Sequence, residues 1–264
     1  MEDHVPLYAS AYAGFSAREQ IRLETYGEDL GQSGWLTLDE LDLFADWLDL
    51  REGSRLLDIG CGSGGTDHRL AETTGASVIG VDMSAEGIAT AKRLASERQL
   101  DDRATFRQLD ASRQLPFADG SFDAVLSVDA MCHLPGRADV LTELHRVMAP
   151  GGRIVFTDPT IVTGLVTGEE LTARSSIGIY VFSVGSVNEH LLAEAGFELL
   201  CCDDRTENMA TIAGRWHAAR ERFRDAVVAD EGESTFARVQ DFLATCQVLA
   251  SERRLSRYAY LATR

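Results

Sequence analysis

The sequence predicts an α/β protein built on a doubly wound, mostly parallel sheet. Three observations carry that expectation. Apolar runs alternate with segments of helical spacing through the first 160 residues, the pattern of parallel strands joined by right-handed crossover helices. A glycine-dense turn, residues 60–65, directly follows the first apolar run. Acids stand at the ends of successive predicted strands: Asp58, Asp82, Asp110 and Asp129. In open sheets of this kind, ligands bind beyond the carboxyl ends of the strands, where the strand order reverses.

Taken in chain order, residues 1–50 predict helices. Trp35, Leu38, Leu41, Phe44, Ala45 and Leu48 recur at helical spacing and suit packing better than chemistry. Residues 55–59, 77–81, 104–108, 124–128 and 153–157 read as strands, and residues 66–74, 84–99 and 137–148 as the helices between them. Ser84 suits the N-cap of the second of these. Residues 187–195 then predict a helix, and residues 197–202 and 255–262 two more strands. Between those two strands, about 207–250, Trp216, Phe223, Val227, Phe236, Val239, Phe242 and Leu243 mark a helical insertion. No linker separates independent domains; the division is a helical cap, 1–50, followed by one larger unit, 51–264.

Composition narrows the function. The 264 residues carry a net charge of −17, with an isoelectric point near 4.7. A nucleic-acid partner needs clustered cations, and the arginines at 215–224 and 253–257 are interleaved with acids and apolar residues. No run approaches the apolar length of a membrane span, and the start lacks a basic-then-apolar leader. The expectation is a cytoplasmic protein with reduced cysteines that acts on a small molecule. None of its five cysteines sits in a zinc-ligand spacing, so no metal is expected. The oligomeric state is left open.

The chemistry begins at the glycine turn. Gly60, Gly62 and Gly65 satisfy G-x-G-x-x-G, and Asp82 follows about 22 residues after Gly60, at the end of the next strand. That spacing places a carboxylate against vicinal ribose hydroxyls. It fits a dinucleotide, which keeps an NAD(P)-dependent oxidoreductase open. Other features point elsewhere: an acid, Asp58, two residues before the first glycine, another at Asp110, and a Pro116-to-Val125 approach to the fourth strand.

With these motifs in order, the chain resembles the class I S-adenosylmethionine (SAM)-dependent methyltransferases over roughly residues 20–160. Residues 58–64 resemble the family's first motif, residues 80–84 its ribose-binding motif, residues 109–111 its adenine-flanking motif, and residues 144–152 the turn before the fifth strand. The resemblance implies a seven-stranded sheet with an antiparallel last strand, the insertion lying over the substrate side as a lid. It implies that Asp58, Gly60, Cys61 and Gly62 border the cofactor's methionine end. Asp82 would hold its ribose, Met83 flank its adenine face, and Asp110 and Ala111 receive its adenine amino group. Ser127, at the end of the fourth strand, completes the expected cofactor set.

Acceptor-side candidates follow that strand. Asp129 could hold a cationic amine, and His133, which titrates near neutrality, could take a proton. A closer resemblance links Tyr26 to Asp29, Ser33 and Gly34, the Asp129…His133 spacing and residues 257–264 with phosphoethanolamine methyltransferases and relatives acting on sarcosine-like amines. In those relatives the N-terminal segment closes over SAM, and an aspartate and a histidine serve the amine. The tyrosine that pairs with the histidine there is matched by Tyr12 or, equally in spacing, by Phe15. Residues 179–182 are mostly apolar where the relatives contact phosphate, and no cation follows until Arg205. A less polar metabolite is therefore expected, with Tyr180 and Tyr26 near it. The expected activity is methyl transfer to a small molecule, amine nitrogen slightly preferred, O- or C-methylation next. A cofactor-binding protein without catalysis is the remaining alternative.

Overall fold

A computed structural model of the chain describes residues 16–264; Tyr12, an expected substrate contact, lies outside them. Helices α1 (Ser16–Tyr26) and α2 (Leu38–Trp47) precede a repeating unit of β1 (Arg55–Ile59), α3 (Gly65–Thr74), β2 (Ser77–Asp82), α4 (Ala85–Glu97), β3 (Ala104–Gln108), β4 (Phe122–Ser127), α5 (Arg137–Val147) and β5 (Met148–Val162). Then come α6 (Gly168–Arg174), β6 (Ser183–Val184), α7 (Val187–Glu194), β7 (Glu198–Asp204), three helices α8 (Thr206–Arg222), α9 (Arg224–Glu231) and α10 (Glu233–Ser251), and β8 (Leu255–Thr263). The main path of the sheet runs β3-β2-β1-β4-β5-β8-β7. Its first five strands are parallel, and β8 is antiparallel to both neighbours. The two-residue β6 adds to the far end of β5, a pairing too short to read as a strand from the sequence.

The burial of β1 and β4 explains their continuous apolar runs: Leu56, Leu57 and Ile59 are covered, as are Ala124, Val125 and Leu126, because helices pack on both faces of a parallel sheet. The strand order reverses between β1 and β4, so their carboxyl ends open a crevice. Two glycines bring the chain close to that crevice. Gly60 has φ +82, and a Cβ there would stand 2.4 Å from the Ala130 methyl. A Cβ on Gly65 would stand 1.6 Å from the carbonyl oxygen of Leu30, so the segment before α2 rests directly on the start of α3. At α2, Thr37 caps the N-terminus while Glu40 returns a carboxylate oxygen to the Thr37 N–H, a reciprocal capping box.

The helical insertion between β7 and β8 packs α8 against α10 and both against the N-terminal part of the chain. Trp35, expected on a helix face, lies one turn before α2 and is buried with Tyr26, Phe242 and Met209. Among the described residues, no helix is long and apolar enough to cross a membrane.

Candidate active site

A cavity of about 720 Å³ opens at the β1–β4 crevice, within the usual range for small-molecule sites. Its lining falls into two groups. Gly60, Val81, Asp82, Met83, Ser84, Leu109 and Ala111 come from the ends of β1, β2 and β3; Trp35, Asp129, His133, Ile177, Tyr180, Trp216 and Phe242 come from the strap before α2, the end of β4 and the insertions.

Asp82 organises the first group. Its Oδ2 accepts from the Gly62 N–H at 2.9 Å and its Oδ1 from the Ser84 N–H at 2.7 Å. Each carboxylate oxygen has a second lone-pair direction, enough to accept from both hydroxyls of a ribose while also tying the glycine turn to α4. The Ser84 side chain caps that helix by accepting from Gly87. Met83 is 65% exposed, a large apolar side chain held out at the rim where it can cover a base. Replacing Asp82 with Ala should weaken S-adenosylhomocysteine (SAH) binding by about 1–3 kcal/mol through the lost charged hydrogen bonds; calorimetric titration of wild type and variant checks this.

Asp58 and Asp67 lie buried together behind the glycine turn, not in the cavity lining. Burial raises the Asp58 carboxyl to about 7 and that of Asp67 well above the carboxylate range, each further affected by the other, so the pair retains a proton near neutral pH. Cys61 is directed inward too: its sulfur would meet a Cβ placed on Gly80 at 2.8 Å.

Two expected cofactor contacts, Ser127 and Asp110, and one expected acceptor contact, Asp129, have partners within the protein. Ser127 is fully buried and its hydroxyl donates to the Ile59 carbonyl at 3.0 Å, bracing β4 to β1 beneath the cavity. Asp110 accepts from the Ser112 N–H and hydroxyl and from Arg113; the Ser112 hydrogen bonds, above all, lower its pKa. It closes its own turn and leaves the cavity to Ala111. The largest correction concerns Asp129. In this residue, with φ +53, Oδ2 accepts from the Trp35 N–H at 2.8 Å and Oδ1 from the Thr157 hydroxyl and Arg257 Nε, each at 2.7 Å. Arg257 in turn donates to Glu40 at 2.6 Å and is fully buried. Burial works against its charge, but Asp129 and Glu40 raise its pKa above the ordinary arginine value. The Asp129 carboxylate is thus already engaged by three donors of the protein itself, among them a guanidinium that it shares with Glu40, a setting the sequence reading of an amine-holding group did not anticipate.

His133 stands in the second group on a single 3₁₀ turn, residues 131–133. Its Nδ1 lies 2.6 Å from the Ile179 carbonyl oxygen. A carbonyl only accepts, so Nδ1 carries the proton and Nε2 is the basic atom of the neutral ring. Burial, only partly opposed by that hydrogen bond, lowers the pKa below the ordinary histidine value. The Tyr180 ring packs at 4.6 Å from the imidazole centroid. Tyr26 is buried outside the lining, and its hydroxyl donates to the Gly34 carbonyl at 2.9 Å; it holds the strap that carries Trp35. The residues that sequence reasoning missed are Arg257, the charged partner of Asp129, Glu40, which shares that guanidinium, and the ring walls Trp35, Trp216 and Phe242. The rings were visible only as helical packing positions, and nothing in a linear spacing signals a pairing between residues 40, 129 and 257.

A crevice at the strand-order reversal, a glycine turn and a diol-ready carboxylate define an enzyme that binds an adenosyl cofactor at the sheet rim. The comparisons narrow this. A methyltransferase-domain family matches residues 57–156. The 27-O-demethylrifamycin SV methyltransferase of Amycolatopsis mediterranei (strain S699) is 32% identical over 247 residues, spanning 87% of this chain and 90% of that one. A phosphoethanolamine N-methyltransferase of Triticum aestivum is 28% identical over 193 residues, spanning 73% of this chain but only 37% of its relative. The structure of Haemonchus contortus phosphoethanolamine N-methyltransferase 2 with phosphomonomethylethanolamine and SAH superposes with a TM-score of 0.81 at 21% identity, covering 94% of this chain and 57% of that one. The chain belongs to the SAM-dependent methyltransferase family, and the dinucleotide alternative that the glycine spacing left open falls away.

Proposed function

We propose that the protein transfers the methyl group of SAM to a hydroxyl of a largely apolar small molecule, with His133 as general base. When bound, SAM supplies an electrophilic methyl on a positive sulfur. The chain holds the ribose through Asp82 and supports the glycine turn against the methionine end. It covers the reacting centre with Trp35, Trp216 and Phe242. Alignment of this kind is worth roughly 7–11 kcal/mol of barrier. A hydroxyl, unlike a free amine, must lose a proton as it attacks, and His133 Nε2 is the group in the lining suited to take it.

The observation that carries this reading is the state of the two acceptor-side groups. His133 is a neutral base with its tautomer set by Ile179, while Asp129 is bound to Arg257 and Thr157. The sequence favoured nitrogen because Asp129 could hold a cation; engagement of both its oxygens by Trp35, Thr157 and Arg257 weighs against that role. A relative named for 27-O-methylation at 32% identity supports oxygen as well. The test is methyl transfer from labelled SAM to a panel of phenols, alcohols and amines, with the product linkage read by mass spectrometry. O-methyl products are expected; N-methyl products alone would sink the reading.

A further inference from the structure

The acceptor side of the cavity is walled by aromatic rings from four separate segments. Trp35 and Phe242 lie nearly parallel, centroids 6.1 Å apart at 23°, and Tyr180 and Phe242 likewise, at 6.3 Å and 25°. Trp216 meets Trp35 edge-on at 6.3 Å. Each of these four residues also lines the cavity, so the rings pack against one another as one continuous wall of the chamber.

Such a wall suits two kinds of occupant, an organic cation or a flat ring system. The charges around it separate them. An ammonium group is held best by a carboxylate with open lone pairs, and both Asp129 oxygens are engaged, Oδ1 by Thr157 and Arg257 and Oδ2 by Trp35. The other carboxylates in the lining, Asp82 and Glu86, stand at the start of α4 beside the ribose position. The rings of Tyr180 and Phe242 already carry a cation of the protein, the buried Arg174 guanidinium, 4.2 and 5.0 Å from their centroids. A second cation on those rings would meet repulsion in a poorly screened interior.

We propose that the chamber selects a neutral acceptor with a flat aromatic or conjugated ring and rejects ammonium compounds, Phe242 and Trp216 being specificity-determining residues. This rests on the hydroxyl-methylation reading and names its acceptor class. Stacking supplies the affinity, and the discrimination comes from the Arg174 guanidinium already held against these rings and from the engagement of the Asp129 oxygens by Trp35, Thr157 and Arg257.

Binding to the SAH-saturated protein tests this with three matched probes at pH 7.5: 2-naphthol, 2-(aminomethyl)naphthalene as its ammonium form, and trans-2-decalol, which has the shape without the ring electrons. Calorimetry should show 2-naphthol binding about tenfold tighter than either of the others. Phe242→Leu and Trp216→Leu should each remove most of that preference while changing decalol binding little. Equal or tighter binding of the ammonium probe, equal binding of decalol, or failure of naphthol to bind overturns the proposal. Failure of the hydroxyl reading has a different signature: naphthol would bind with the expected selectivity yet be methylated at full rate by His133→Ala.

Discussion

Arg257→Met should lower the unfolding free energy by about 3–5 kcal/mol, the cost of stranding buried charge when one partner of an internal ion pair is removed. Arg257 and Glu40 are almost wholly inaccessible and Asp129 nearly so. The methionine would fill most of the volume, so the loss is electrostatic and not a cavity effect. For a chain of this size it corresponds to a midpoint drop of about 6–20 °C, measurable by calorimetry. The sign of the pH dependence distinguishes this cause. Stranded carboxylates bind protons more tightly in the folded state than in the unfolded state, so the variant should recover stability as pH falls. Adding Asp129→Asn and Glu40→Gln should restore much of it at neutral pH. The same variant should raise the KM for the acceptor, because Asp129 also fixes the Trp35 N–H and with it one wall of the chamber.

His133→Ala should reduce kcat with a hydroxyl acceptor by about 10²–10⁴-fold, the ordinary worth of a positioned general base, while SAH affinity stays within a factor of two or so, since His133 stands apart from the Asp82 end. In wild type, kcat/KM should be flat above pH 6.5 and fall only at more acid pH, because burial holds the His133 pKa below its ordinary value. In the variant that acid limb should vanish and the rate should rise with pH as the acceptor itself ionises. The linked effect on stability has the matching sign. An imidazole that stays neutral when folded takes up its proton more readily when unfolded, so its contribution is complete above about pH 6.5 and is lost as pH falls. Unaltered turnover in the alanine variant would remove His133 from the mechanism.

The glycine turn, the ribose carboxylate and the alternation of strands were legible because each depends on residues close in sequence. Gly60, Gly62 and Asp82 belong to a single strand–turn–helix–strand unit, and their spacing is fixed by the length of one crossover. Asp110 shows the limit of that logic. It stands at the right strand end, but a serine two residues on and an arginine three on satisfy it locally, and a strand-end position does not reveal which way a short side chain turns. Ser127 shows the same limit: its hydroxyl donates to the Ile59 carbonyl of the neighbouring strand, a partner that its position at a strand end does not reveal.

By itself, then, the sequence determined the doubly wound sheet, the cofactor class and the identity of the general-base candidate, all carried by periodicity and by motifs within a few tens of residues. Only the tertiary structure decided what Asp129 does. Its carboxylate is bound by a side chain 128 positions later in the chain, and the rings that line the cavity arrive from the strap, a loop and two inserted helices. The physical reason is that electrostatic compensation and ring packing depend on distance through space, which the covalent order of the chain leaves undefined until the sheet has closed.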